Sequence, residues 1–308
     1  MVELKKNRIN LQNEIGGQVF FDEMLSNHTS FRIGGPANVL IIPKNIKDIE
    51  FILKLASNKK IPVCVIGNGT NLLVRDCGIR GIIIKISNTL DSMHVKERKI
   101  ITGAGAPLAY VLKIATKHSL TGLEFTAGIH GTVGGAIAMN AGTHIGSISK
   151  VISEVTAMDL SGSLHVLSNE ECGFGYRKST FQEGHMIILQ AEIVLTKGEK
   201  GKIEEKVSQI MKRRKKTQPL NKRSAGCIFR NPQGYSAGKL IEAVGLKGKR
   251  IGGAQISKIH PNFIINLKNA KASDVLALIC LVQKEVAKKF GVFLDPEVRI
   301  IPKTNNAL

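Results

Sequence analysis

Three side chains in this 308-residue chain stand where their types and neighbours could do chemistry. Cys227 follows a glycine in Ser224-Ala-Gly-Cys-Ile-Phe-Arg-Asn-Pro232, with Arg230 and Asn231 close behind it. That grouping could carry chemistry, although a solitary cysteine is more commonly a small buried apolar residue. Phe174-Gly-Tyr-Arg-Lys-Ser179 sets Arg177 beside Tyr176, and its fixed fork of donors suits a carboxylate or an enolate; the plain alternative is a surface arginine. Leu294-Asp-Pro-Glu-Val-Arg299 places Glu297 at the start of an expected strand, as a site carboxylate or as an exposed acid paired with Arg299.

Two further stretches offer main chain rather than side chains. Gly67-Asn-Gly-Thr-Asn71 follows an apolar run, so its successive N–H groups could face an anion such as a phosphate, or form a simple surface turn. It lacks the third glycine of a dinucleotide fingerprint, because Leu72 stands there, and the Gly-Lys-Ser/Thr of a P-loop. Residues 128 to 142 read GIHGTVGGAIAMNAG, with five glycines in fifteen positions. Such a run needs unusual backbone angles or close approach, either by another segment or by a ligand. Together the two stretches would suit an extended ligand with an anionic middle, a dinucleotide for example, with a flat ring against Ala136-Ile-Ala-Met139.

Helices and strands must hold these residues in place. Ile46, Ile49, Ile52, Leu53 and Ala56 have helical spacing, and Pro62 to Ile66 reads as a short buried strand. Gly81 to Ile86 and Lys99 to Thr102 are further strands, and Pro107 in a first turn opens a helix to about His118. Strands are expected at Val151 to Leu160, Leu164 to Leu167 and Met186 to Thr196, with a turn at Asp159 to Gly162. A helix from Lys202 to about Lys216 connects to a polar boundary at Thr217 to Ser224. Beyond it come a strand at Ala225 to Phe229, a helix near Ala237 to Val244, a strand at Phe263 to Leu267 and a last strand at Glu297 to Ile301. Between the last two lies a long helix, Ser273 to Phe290, for which Ser273 is the expected cap and Val275, Leu276, Ile279, Val282 and Val286 the buried stripe.

Composition narrows the partners. With 44 Lys and Arg against 24 Asp and Glu, the chain carries +20, a field that gathers nucleic acid, anionic membrane or phosphorylated small ligands. The run Lys212-Arg-Arg-Lys-Lys216 ends a helical pattern, the ordinary place for cations, and no aromatics are interleaved with it, which argues against nucleic acid. The polar start and the lack of a long apolar run predict a cytoplasmic protein with no membrane partner. Five scattered cysteines and eight dispersed histidines predict neither a disulfide framework nor a metal site.

Seven ordered motifs carry a family resemblance: GNGTNLLV (67–74), GLEFTAGIHGTVGGAIAMNAG (122–142), FGYRKS (174–179), SAGCIFRNP (224–232), AGKLIEAVGLKG (237–248), HPNFIIN (260–266) and PEVR (296–299). Together with HTSFRIGGPA (28–37), they resemble the UDP-N-acetylenolpyruvoylglucosamine reductases, in the shorter of the family's two types, over about His28 to Pro302. The resemblance implies an α+β protein: an FAD-binding fold of the vanillyl-alcohol-oxidase-like flavoprotein type, followed by a C-terminal α+β substrate-binding domain. Expected blocks are 1–90 and 91–216 for two FAD-binding subdomains, with strand 297–302 a candidate to join the first, and 217–296 for the substrate-binding domain.

It further implies non-covalent FAD held by Gly67, Asn68, Gly69, Thr70 and Asn71, and by Gly128, Ile129, Gly131, Thr132, Gly134, Gly135, Ala138, Asn140, Ala141 and Gly142. NADPH would be the reducing co-substrate and a UDP-sugar enolpyruvyl ether the acceptor, giving UDP-N-acetylmuramate for peptidoglycan. Hydride would pass to C3 of the enolpyruvyl group and a proton from Cys227 to C2, with Arg177 and Glu297 completing the catalytic set. Glu297 would be protonated, or would act by orienting a donor. Tyr176, Arg230 and Asn231 would bind substrate, with Lys215 or Lys216 as further diphosphate contacts. A monomer is expected. Departures from the pattern are His130 for a usual proline, Cys227 for a frequent serine and Thr143-His-Ile145 for Ala-Tyr-Gly. Two alternatives remain at this level: a flavin-dependent oxidase or dehydrogenase of the same fold, and a basic nucleic-acid-binding protein.

Overall fold

The apolar spacing at Ile46 to Ala56 does form a helix, Ile46–Lys59, and its ends show why it starts and stops there. Asn45 caps it by accepting from the N–H of Asp48 at 3.1 Å, and Lys60 ends it in the left-handed region at φ 52°. Ile49, Ile52, Leu53 and Ala56 are buried. This computed structural model describes residues 8–87 and 89–302. Contacts divide the chain into two compact units, Met1–Phe21 with Val39–Asn68 and Gly81–Arg213, and Asp22–Asn38 with Gly69–Arg80 and Arg214–Leu308. The expected first block, 1–90, therefore contributes to both units, and the boundary falls inside the Gly67 to Asn71 turn.

The first unit is built on a five-stranded antiparallel sheet. Its order is Leu164–Ser168, Ile152–Asp159, Met186–Val194, Lys99–Gly103 and Met93–Lys96, with Val155 opposite Ala191 and Ala191 opposite Thr102. Alternate residues of the central strands face a shared core with Val111, Ile137 and Ile148. The helix Leu108–Lys117 begins one residue later than expected: Pro107 is its cap, in extended conformation at ψ 131°, not part of its first turn. In the helix Lys200–Thr217 only Ile203 is fully buried, while Val207, Ile210 and Met211 pack on the same core. Lys206 approaches the buried Glu124 at 3.6 Å. Lys212, Arg213, Lys215 and Lys216 are exposed at the helix end, as cations there should be.

The second unit holds a four-stranded antiparallel sheet in the order Arg223–Cys227, Phe263–Asn266, Ala254–Ile256, Arg250–Ile251. Against it lies the helix Ala272–Phe290, burying Val275, Leu278, Ile279, Val282 and Val286. Leu276, expected in that stripe, is only half-buried; Leu278 takes its place. Ser273 is not the cap. It lies inside the helix, and the free N–H groups of Ala272 and Ser273 donate at 2.8 and 3.0 Å to the carboxylate of Asp76, which no local sequence rule could supply. Leu72–Val74 pairs in parallel with Arg299–Ile301, both within the second unit.

Candidate active site

The two glycine stretches meet within the first unit. A Cβ placed on Gly67 would fall 2.5 Å from the hydroxyl oxygen of Thr132, so only glycine permits that approach. Thr132 also caps the short helix Val133–Ala138 by accepting from the N–H of Gly135 at 3.2 Å. Val133 and Gly134 donate to the carbonyls of Ala106 and Ala104, so this helix start is occupied by the protein itself. Gly134 is small because Ala104 lies against it, and Gly142 because Gly146 and Ser147 do; Gly135 alone of these presents an open, exposed face. Asn68 is steadied by the hydroxyl of Ser87.

Main-chain donors remain for an anion. Among the described residues, no hydrogen bond takes up the N–H of Gly67, Asn68 or Gly131 in the first unit, nor of Gly69 or Asn71 in the second. The successive N–H groups of Gly67 and Asn68 in the first unit fit an anion such as a dinucleotide's pyrophosphate, and the exposed Gly135 of the same unit fits close approach by a flat group. The residues present are therefore compatible with FAD.

Arg177 is built onto the same stretch. Its backbone is left-handed, at φ 56°, and its guanidinium donates to the carbonyl of Gly142 at 2.9 Å and, more weakly, to that of Asn140 at 3.4 Å. Asn140 is buried, donates its side-chain amide to the carbonyl of Gly175 at 2.7 Å and accepts from the N–H of Ser149 at 3.2 Å. Its side chain thus braces the Arg177 turn against the glycine stretch. Ser179 adds a bond to the carbonyl of Ala138 at 2.7 Å. Tyr176 is exposed, with the Arg177 guanidinium 5.4 Å from its ring centre. The unusual His144 lies 3.2 Å from Arg213.

In the second unit the structure brings together two motifs some seventy residues apart in the sequence. The N–H of Glu297 donates to the carbonyl of Ile228 at 2.7 Å, and the N–H of Arg230 to the carbonyl of Asp295 at 2.9 Å. Cys227 and Glu297 therefore lie on neighbouring backbones. Cys227 and Glu297 are half-buried; Asn231 is exposed and accepts from the N–H of Ala237 at 3.0 Å, at the start of the helix Ala237–Ala243. Sequence reasoning missed Arg214, which is half-buried and within electrostatic reach of Cys227. Burial holds its guanidinium below the usual arginine range, and the thiolate form of Cys227 pulls the other way. It was hidden in a run of five cations whose other members face solvent. Ser30 was missed too: its hydroxyl donates to the carbonyl of Ser224 at 2.7 Å, while its N–H donates to Gly69.

Residues 37–168, which hold both glycine stretches, match a family model described as an FAD binding domain, and the class of protein this defines is a flavoprotein. Solved structures of Phl p 4.0202, a glucose dehydrogenase, and of Physcomitrella patens BBE-like 1 share the fold at TM-scores of 0.50 and identities of 15% and 14%. They cover 62% and 63% of this chain and 44% of each of those chains.

A second family model, the C-terminal domain of UDP-N-acetylenolpyruvoylglucosamine reductase, matches residues 218–301. Reductases of that name from Caldanaerobacter subterraneus subsp. tengcongensis and Clostridioides difficile are 46% and 41% identical, over 92% and 95% of this chain and 94% and 97% of theirs. The crystal structure of the Thermus caldophilus enzyme superposes with a TM-score of 0.80 at 35% identity, covering 93% of this chain and 99% of that one. The chain belongs to the UDP-N-acetylenolpyruvoylglucosamine reductase family. The expected fold class, an FAD-binding part followed by a C-terminal α+β domain, is that of this family, as is the expected enzyme class, a flavoprotein oxidoreductase with FAD as cofactor and NADPH as reductant.

Proposed function

We propose that this chain reduces the enolpyruvyl ether of UDP-N-acetylglucosamine to UDP-N-acetylmuramate, a peptidoglycan precursor, at the expense of NADPH. FAD, when bound, supplies two-electron hydride chemistry between NADPH and the sugar nucleotide. Gly67, Asn68, Gly69 and Asn71 offer their main-chain N–H groups to its pyrophosphate. Addition of hydride at C3 of the enolpyruvyl double bond leaves an electron pair at C2, spread into the adjacent carboxylate. Arg177, fixed by Gly142 and Asn140, is the donor assigned to that developing charge. Cys227 gives its proton to C2, completing the saturated ether, and regains one from solvent. Glu297 is the third member of the catalytic set. Tyr176, Arg230 and Asn231 are assigned to the sugar nucleotide. The enzyme acts as a monomer in the cytoplasm; among the described residues no helix is long and apolar enough to cross a membrane.

The observation that carries this reading is the Glu297 to Ile228 hydrogen bond, which sets the Cys227 and Glu297 motifs side by side in a chain of this family. Incubation of the holoenzyme with NADPH and the enolpyruvyl sugar nucleotide tests it. Mass spectrometry should find a product two hydrogens heavier, one added at C3 and one at C2, with one NADPH oxidised per product formed. A reduced flavin that transfers its electrons only to oxygen would instead mark an oxidase of the same fold.

A further inference from the structure

Asn262 belongs to the HPNFIIN motif, to which the reaction above assigns no part. It is 4% exposed. Its side chain accepts from the N–H of Phe229 at 2.9 Å and donates to the carbonyl of the same residue at 2.8 Å, in the manner of a neighbouring strand's peptide. Its own carbonyl accepts from the N–H of Ile228 at 2.8 Å. The remaining polar group of this dipeptide, the carbonyl of Ile228, accepts from Glu297. All four main-chain groups of Ile228 and Phe229 are thus held, three by Asn262 and one by Glu297.

The clamp is needed at this point because regular pairing fails there. Cys227 is opposite Phe263, but the register slips between Ser224 and Cys227, and the strand ends at Cys227. Without a partner the next two residues would leave buried peptide groups unbonded, for Ile228 and Phe229 are 1% and 2% exposed. An amide is the one side-chain group of this length that both donates and accepts in a plane; aspartate loses the donor and glutamine is too long.

We infer that Asn262 is a positioning residue for the protonation step, holding the backbone that carries Cys227 in register with the backbone that carries Glu297. The assignment rests on the reaction proposed above. Reduction of the flavin by NADPH needs no proton from Cys227, so loss of Asn262 should separate the two half-reactions.

The test is anaerobic stopped-flow absorbance of the FAD-loaded Asn262→Ser and Asn262→Asp enzymes. Flavin bleaching by NADPH should match wild type within about twofold, whereas reoxidation by the enolpyruvyl sugar nucleotide should slow by about 10- to 100-fold, the effect of a displacement near 1 Å at a reacting group. The solvent deuterium isotope effect on reoxidation should rise, because protonation becomes the slow step. Reoxidation at the wild-type rate in either folded variant would overturn the assignment alone. So would an equal loss in both half-reactions, or failure of both variants to fold, which would make Asn262 purely structural. A wild-type flavin that the sugar nucleotide does not reoxidise overturns the proposed reaction, and this assignment with it.

Discussion

The side-chain amide of Asn71 donates to the main-chain carbonyl of Glu297 at 3.0 Å, across 226 residues of sequence, and the N–H of Arg299 returns a bond to the carbonyl of Asn71 at 2.9 Å. The glycine turn therefore ends in a residue whose side chain is engaged by the segment that carries Glu297. Asn71, expected as a flavin contact, has a second task as the joint between the two. Asn71→Ala keeps the main-chain bond and loses only the amide. Its substrate-driven flavin reoxidation should fall about 10-fold, with a smaller change in bleaching by NADPH; stopped-flow traces of the two half-reactions decide it.

Asp76 ends the same segment and caps the helix Ala272–Phe290 through two N–H groups. Asp76→Ala should lower stability by about 1–2 kcal/mol, and Asp76→Asn, which keeps one acceptor oxygen, by less. Thermal unfolding followed by circular dichroism would reveal the ranking; equal melting temperatures for all three proteins would contradict it.

Glu124 is a buried carboxylate in the first unit. Burial alone would raise its pKa, but the Thr121 hydroxyl, the N–H of Gly122 at 2.8 Å and Lys206 outweigh that and hold it below its ordinary 4.5. A pKa lowered by folding contributes stability above the unfolded-chain value, and that contribution is lost as the pH falls through the folded value. Glu124→Gln should therefore cost about 2 kcal/mol at pH 7, and the gap from wild type should narrow below about pH 4. Urea unfolding at pH 7 and pH 3.5 measures both.

Cys172 is fully buried, and burial pushes its thiol up to about 11, with the nearby Glu171 adding to the shift. At pH 8 iodoacetamide should label the exposed Cys77 and Cys280 in the native protein within minutes and spare Cys172 until the chain is unfolded. Peptide mass mapping before and after denaturant reads this directly. Early labelling of Cys172 would contradict the packing of the first unit.

Much of the local structure was legible because it is local. The helical spacing of Ile49, Ile52, Leu53 and Ala56, and the apolar runs at residues 62–66 and 81–86, depend only on near neighbours, and the helix Ile46–Lys59 and the strands Val63–Ile66 and Ile79–Lys85 overlap them. The three side chains singled out for chemistry lie on the segments that the fold sets beside the glycine stretch or beside one another. What could not be read is pairing at a distance. Asp76 caps a helix 196 residues away, so Ser273 looked like the cap; the first two strands, Gln18–Met24 and Pro36–Ile42, were not foreseen although their Val, Phe and Ile residues favour strands. The glycines between 128 and 142 posed a choice between ligand and packing. Packing accounts for two of them, since Gly134 and Gly142 are pressed by main chain or side chain of their own unit, while Gly135 is exposed.

The central claim is that Cys227 delivers the proton that completes reduction of the enolpyruvyl group. Anaerobic absorbance of the flavin in Cys227→Ala, first with NADPH and then with the sugar nucleotide, tests it most directly. Bleaching at the wild-type rate followed by reoxidation slowed about 100-fold or more, with partial recovery in Cys227→Ser, is the predicted result. Reoxidation of Cys227→Ala as fast as wild type would contradict it and assign the proton to another group.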